Sequence, residues 1–185
     1  MRILFLDIDG VLTNELWSTW LTTAPGTKYK EDLLKQGYIT PLSPENVSAL
    51  NNICESIPDL ELHIVSSWIK LNQEDDDKSA FYKFIIKHLV QAGFQHVDKI
   101  SEDYKYNVKQ SKFERITNIM NANPEAQCLL LDDQVELSDM LNADTDTLIQ
   151  CANVHINNEQ GLSMNDVNLV CQYFGVDRQK HLCLF

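Results

Sequence analysis

An α/β fold, with a parallel sheet covered by helices on both faces, is what this sequence predicts, and three observations predict it. Short apolar runs alternate with segments of helical periodicity along the chain. The apolar run at 2–6 is nearly continuous, the pattern of a fully buried strand, and 60–65 and 127–133 are further apolar strands. Each run ends in polar side chains: Asp7 and Asp9, then Ser66 and Ser67, then Asp132 and Asp133. Open parallel sheets bind ligands at the carboxyl ends of their strands, so the three clusters can converge on one rim.

The elements follow in order. "RILFL" (2–6) is a buried strand. Residues 13–42 mix Trp17, Trp20, Pro25, Gly26, Gly37 and Pro41, and read as an excursion outside the regular layers. "SPENVSALNNICES" (43–56) opens with Ser then Pro, an N-cap and first helical position, and puts Val47, Leu50, Ile53 and Cys54 on one face. "LELHIV" (60–65) is a second strand, and "QEDDDK" a solvated acidic turn. "SAFYKFIIKHLVQAG" (79–93) is an amphipathic helix that Gly93 can stop. "VDKI" (97–100) reads as a short strand, "SKFERITNIMNA" (111–122) as a helix and "QCLLLDD" (127–133) as the third apolar strand. A helical "QVELSDML", a weak strand near 147–156 and a helix over 163–175 complete the chain.

The 185 residues, 44% of them hydrophobic, suffice for one domain over 1–185 with a core, carrying a short flap or loop insertion at about 13–42. No stretch approaches the roughly 18 unbroken apolar residues of a membrane span. The first ten residues turn acidic too early for a signal peptide. A cytoplasmic location is expected. Acids outnumber bases 27 to 15, for a net charge of −12, which weighs mildly against nucleic acid and anionic membranes as partners. The five cysteines are odd in number and lack CxxC spacing, as free buried thiols do. His63 and His88 read as packing or surface residues.

Asp7 and Asp9 pose the chemical question. Side chains alternate along a strand, so the two point to the same side, and Gly10 then lets the chain turn sharply. Asp-Gly between apolar runs is also a hairpin signal, but a hairpin leaves Asp7 without a partner, and burying a lone carboxylate is costly. A divalent cation resolves this. Mg²⁺ takes one or two carboxylates together with water and phosphate. One carboxylate can then attack phosphorus, and the other can protonate the leaving oxygen and deprotonate water. Carboxylates repel phosphate by roughly 4 kcal/mol per unit pair at about 4 Å and an effective dielectric of about 20, so the site also needs a fixed positive side chain.

The segment "DIDGVLT", with the two later clusters, resembles the haloacid dehalogenase (HAD) superfamily of phosphohydrolases. Asp7-Ile8-Asp9-Gly10-Val11 fits its first motif, DxDG(T/V) after an apolar strand. "HIVSSW" offers Ser66, or Ser67, for the serine that ends the next strand; "KQSKFERI" offers Lys112, or Lys109, for the lysine near a later helix start; and "LLLDDQ" supplies the acidic pair Asp132 and Asp133. The order is that of the superfamily, and the resemblance spans about residues 2–175. "SSW" and the late "GLS" look most like small HAD domains of bacterial RNA-repair fusion proteins and stand-alone relatives.

The resemblance implies a Rossmann-like sheet with a minimal cap and a set of roles. Asp7 is nucleophile and metal ligand. Asp9 is general acid/base and binds metal through its carbonyl. Ser66 and Lys112 hold the phosphoryl group, and Asp132 and Asp133 complete a Mg²⁺ shell, with Glu136 or Asp139 as a further acid. The implied activity is phosphomonoester hydrolysis through an aspartyl-phosphate.

The stretch at 13–42 is too short for a folded cap, and so is the interval between Lys112 and Asp132. An open site goes with a large phosphorylated substrate such as a phosphoprotein, phosphotyrosine included. Polynucleotide-end phosphatase is the alternative substrate reading, and Trp17, Trp20 and Trp68 could rim the entrance for a ring or a base. A non-catalytic phosphate- or metal-binding module is the alternative outside enzymes, and a phosphorelay receiver a weaker one that Asp9 opposes. Delivery to a host cell as a bacterial effector is the alternative location. The oligomeric state is left open.

Overall fold

The computed structural model describes residues 1–38, 41–66, 78–101, 110–134 and 151–177. Four strands form a parallel sheet in the order β2-β1-β3-β4: β1 (Arg2–Leu6), β2 (Leu60–Ile64), β3 (Gln127–Asp132) and β4 (Ala152–His155). The three apolar runs of the sequence are therefore adjacent in the sheet, and β1 lies between β2 and β3. This removes the hairpin reading of Asp9-Gly10: β1 pairs with two parallel partners that come much later in the chain.

Alternation along the strands divides the core into two layers. On one face Leu4, Leu6, Leu62, Leu129 and Leu131 meet helices α3 (Pro44–Ser56), α4 (Lys78–Gln91) and α6 (Met164–Tyr173). On the other face Ile3, Phe5, Cys128 and Leu130 meet Ile116, Ile119 and Met120 of α5 (Lys112–Ala122). Side chains of this size are worth about 2 kcal/mol each when fully buried. The start of each capped helix is written locally. Ser43 caps α3 by accepting from the Asn46 amide, with Pro44 in the first turn. Ser111 with Glu114, and Ser163 with Asp166, form capping boxes at α5 and α6.

Two segments differ from expectation. The excursion at 13–42 holds two helices, α1 (Glu15–Trp20) and α2 (Ala24–Lys35). They lack the periodic apolar stripe of a layer helix, because α1 buries none of its residues and α2 buries only Gly26 and Leu33. The expected strand at 97–100 is a 3₁₀ turn, Val97–Lys99, and only Ile100 bridges to β2, at Leu62. Four residues are too few to tell a turn of helix from a strand by pattern. No helix among the described residues is long and apolar enough to cross a membrane.

A buried polar clamp fastens the segment after β1. Asn46 of α3 is 3% exposed; its amide donates to the carbonyls of Gln160 at 3.0 Å and Leu162 at 2.9 Å, and its Oδ1 accepts from Asn14. Gly161 (φ 69°) makes this approach fit, since a Cβ there would stand 2.7 Å from Asn46 Oδ1 and 2.8 Å from the Val11 carbonyl. Replacing Asn46 by Ala takes its donor from the Leu162 carbonyl and leaves the Asn14 amide and the Gln160 carbonyl only their bond to each other at 2.9 Å. We expect Asn46→Ala to cost about 3 kcal/mol of stability, measured by urea unfolding, whereas a loss under about 0.5 kcal/mol would show the clamp to be replaceable by water.

Candidate active site

The chain leaves β1 for β2 on one side and later returns to form β3 on the other, so the crevice between the ends of β1 and β3 is a topological switch point. Asp7 extends β1 by one ladder bond, its N–H donating to the Leu131 carbonyl at 3.1 Å. Leu6 faces Leu131, which brings Asp7 level with Asp132 on the neighbouring strand. Both carboxylates are buried, at 6% and 0% exposure. Asp7 Oδ1 accepts from the Ile8 amide at 2.7 Å, and Asp132 Oδ1 from the Gln134 amide at 2.9 Å.

Lys112 faces both acids and donates to Asp7 Oδ2 and Asp132 Oδ2. It is the first residue of α5, immediately after the Ser111 cap. A cation at a helix N-terminus opposes the helix dipole, so the helix gains nothing from this lysine there. Burial alone would lower the pKa of its ammonium group. The charge of Asp7, with hydrogen bonds to both carboxylates, outweighs that and raises it above the ordinary lysine value.

Asp133 completes the cluster. One oxygen from each of Asp7, Asp132 and Asp133 lies within 4.8 Å of the others, so the three could hold a cation. Gly10 makes room for it. At φ 71° a Cβ on Gly10 would stand 2.1 Å from the Asp133 carboxyl carbon, so the sharp turn and the carboxylate share one space that only glycine leaves open. Burial, joined by the charges of Asp132 and Asp7, pushes the Asp133 carboxyl above the usual range. Its Oδ1 is buried with no hydrogen-bond partner among the described residues. An all-carboxylate donor set with an orphaned buried oxygen fits a hard divalent cation of the Mg²⁺ kind.

Asp9 is placed differently from expectation. β1 ends at Leu6, and the Ile8 carbonyl accepts from the amides of Val11, Leu12 and Thr13, so Asp9 lies in a tight turn. Strand alternation therefore does not set its direction; the turn does, and the side chain is half-buried there. Ser66 is fully buried just past β2, where the Val65 amide still donates to the Leu6 carbonyl at 2.9 Å. It thus reaches the same end of the sheet as Asp7 and Asp132. Ser67, Lys109, Trp68, Glu136 and Asp139 lie outside the described residues.

Arg115 went unnoticed in the sequence. It is 5% exposed, sits one helical turn after Lys112, and donates through Nη2 to the carbonyls of Val65 at 2.8 Å and Ser66 at 3.5 Å. Burial lowers its pKa against the pull of the Asp7 charge. Its signal was its position on the apolar stripe of α5, beside Ile116 and in phase with Ile119.

His63 and His88 are both buried, as their packing reading expects: His63 tilts against Phe5, and His88 Nδ1 lies 2.8 Å from the Phe84 carbonyl.

Neither a curated protein nor a solved structure matches the chain. Residues 3–167 match the family described as the HAD domain in Swiss Army Knife RNA repair proteins. The match runs from β1 into α6 and takes in the lysine helix and the three clustered carboxylates, so the chain belongs to this family of HAD domains.

Proposed function

We propose that the protein is a Mg²⁺-dependent phosphomonoesterase that works through an aspartyl-phosphate on Asp7. The observation that carries this reading is the lysine shared by two buried carboxylates at adjacent strand ends, beside a third carboxylate with an unsatisfied oxygen. Such a site has cation-binding and anion-binding halves in one crevice. Asp7, Asp132, Asp133 and the Asp9 carbonyl would hold the Mg²⁺, which when bound offsets the repulsion between phosphate and carboxylates.

The residues then divide the work. Lys112 and Ser66 (Ser67 in the alternative register) orient the phosphoryl group. The Asp7 carboxylate attacks phosphorus, forming a new P–O bond as the bond to the ester oxygen breaks. Asp9 gives that leaving oxygen its proton. Asp9 next takes a proton from water, whose oxygen attacks phosphorus. The Asp7–phosphorus bond breaks, and inorganic phosphate leaves with the carboxylate restored.

For the substrate, the family's description favours a phosphorylated RNA end over a phosphoprotein. The insertion offers an aromatic surface for a base. The Trp17 and Trp20 rings stack at 4.8 Å, Trp17 is anchored through its indole N–H to the Pro41 carbonyl, and Trp20 is 38% exposed. Stacked indoles accept any base. The test is phosphate release from para-nitrophenyl phosphate with Mg²⁺ and with EDTA, followed by end-phosphorylated oligoribonucleotides against phosphotyrosine peptides. Metal-dependent release with a higher kcat/KM on the oligoribonucleotide is expected. Bound Mg²⁺ without turnover on any substrate would instead indicate a non-catalytic binding module.

A further inference from the structure

The guanidinium of Arg115 is a buried cation whose partners are two backbone carbonyls. Nη2 carries both bonds, to Val65 and Ser66, while Nε and Nη1 are closed off from solvent and find no hydrogen-bond partner among the described residues. No carboxylate lies within ion-pair reach of it among the described residues. Its neighbours on α5 are Ile116, Ile119 and Met120, which pack against Ile3, Phe5 and Leu130. Packing alone would select another apolar residue here, because burying the charge is costly and the Asp7 charge offsets its desolvation only in part. What Arg115 does that an apolar residue cannot is tie the end of β2 to the helix that begins at Lys112.

We propose that Arg115 is a positioning residue for the site: by holding the Val65 and Ser66 carbonyls it fixes Ser66 relative to Lys112, so that both meet one phosphoryl group. The geometry supports this in two ways. Residues three apart share a helix face, so Lys112 and Arg115 point from α5 toward the same sheet end, one to the carboxylates and one to the β2 terminus. The segment it grips lies just past the last residue of β2, where the Val65 N–H donates to the Leu6 carbonyl on its other side. The other nitrogens of Arg115 are enclosed rather than presented to the crevice. Its influence runs through Ser66. This role rests on the phosphomonoesterase reading for its effect on turnover, but its effect on the β2 terminus does not.

The test compares Arg115→Met and Arg115→Lys in the full chain, with two readouts. The first is steady-state hydrolysis of para-nitrophenyl phosphate in Mg²⁺, alongside thermal melting. We expect Arg115→Met to lower kcat by about 10- to 100-fold, the usual cost of loosening a supporting contact, with melting little changed because relief of the buried charge offsets the donor lost to the two carbonyls. Arg115→Lys, which keeps a charged donor, recovers most of that loss. The second readout is amide hydrogen exchange of the segment containing Val65 and Ser66, which needs no activity. Exchange there should accelerate in Arg115→Met and return toward wild type in Arg115→Lys. Wild-type kcat in Arg115→Met, or a loss that follows a lowered melting point and is not rescued by Lys, overturns the proposal. If the wild type does not turn over at all, the phosphomonoesterase reading fails, and unchanged exchange at the β2 terminus then decides against Arg115 by itself.

Discussion

Asp7→Asn is expected to lose at least about 10⁴-fold in kcat on any phosphomonoester while remaining folded. The substitution is nearly isosteric, and the Asn carbonyl can still accept from the Ile8 amide, so the turn after β1 keeps its anchor. The changed atom is the one facing Lys112: an NH₂ now meets the ammonium where a carboxylate oxygen accepted from it. Lys112 keeps Asp132, so its charge stays paired. The cluster also loses one of three mutually repelling carboxylates, which offsets the lost ion pair. The melting point should therefore move by only a few degrees, equivalent to about 1 kcal/mol for a chain of this length. An amide is a very poor nucleophile toward phosphorus, and the neighbouring Asp132 carboxylate remains tied to Lys112 and the Gln134 amide. The measurement is kcat for para-nitrophenyl phosphate and for an end-phosphorylated oligoribonucleotide, with circular dichroism to show the fold. A loss of tenfold or less would remove Asp7 from the nucleophile's role and leave it, at most, a metal ligand.

What the sequence could and could not reveal follows from the range of the forces involved. Strands β1, β2 and β3 and helices α3, α5 and α6 announce themselves by apolar runs and by Ser or Ser-Pro at the starts, which are local signals. Helices α1 and α2 do not, because they bury almost nothing and so leave no periodic trace. The site was legible wherever a polar residue ends an apolar strand, as with Asp7, Ser66, Asp132 and Asp133, because burying such a group demands a partner. Lys112 became visible only against those acids. Three features depend on contacts between distant segments and leave no local mark: the shared space of Gly10 and Asp133, the Asn14–Asn46–Gln160 clamp, and the grip of Arg115 on the β2 terminus. Arg115 is also disguised, since an arginine three residues after a lysine near a helix start reads as part of a solvated face. The turn that carries Asp9 is a smaller case of the same limit: alternation holds only while the strand does, and where it stops is set by the bonds to the Ile8 carbonyl.

Lys112→Met should do two things at once: destabilise the metal-free protein and make its stability far more responsive to Mg²⁺. The wild-type ammonium neutralises two carboxylates that are 6% and 0% exposed, with Asp133 close by. Removing one partner of a buried ion pair typically costs about 3–5 kcal/mol, because the remaining charges are stranded. The lysine side chain is 22% exposed, so water can enter on deletion and the lower end of that range, about 3 kcal/mol, is expected. The sign of the pH dependence follows from the raised pKa of Lys112. Its contribution is complete below the ordinary lysine value of 10.5 and fades only as pH climbs through the higher folded value. The gap between wild type and variant should therefore be flat through neutral pH and narrow above about 10.5. Mg²⁺ replaces the lost positive charge, so its addition should raise the variant's melting point by more than it raises that of the wild type. Turnover should nonetheless fall by about 10²- to 10³-fold, because the fixed donor for the transferring phosphoryl oxygens is gone. Melting curves at several Mg²⁺ concentrations, read beside kcat, test these effects together. If Lys112→Met melts like the wild type without metal and gains no more from Mg²⁺, Lys112 is a solvated helix residue in solution. The shared-cation geometry that carries the proposed function would then fall with it.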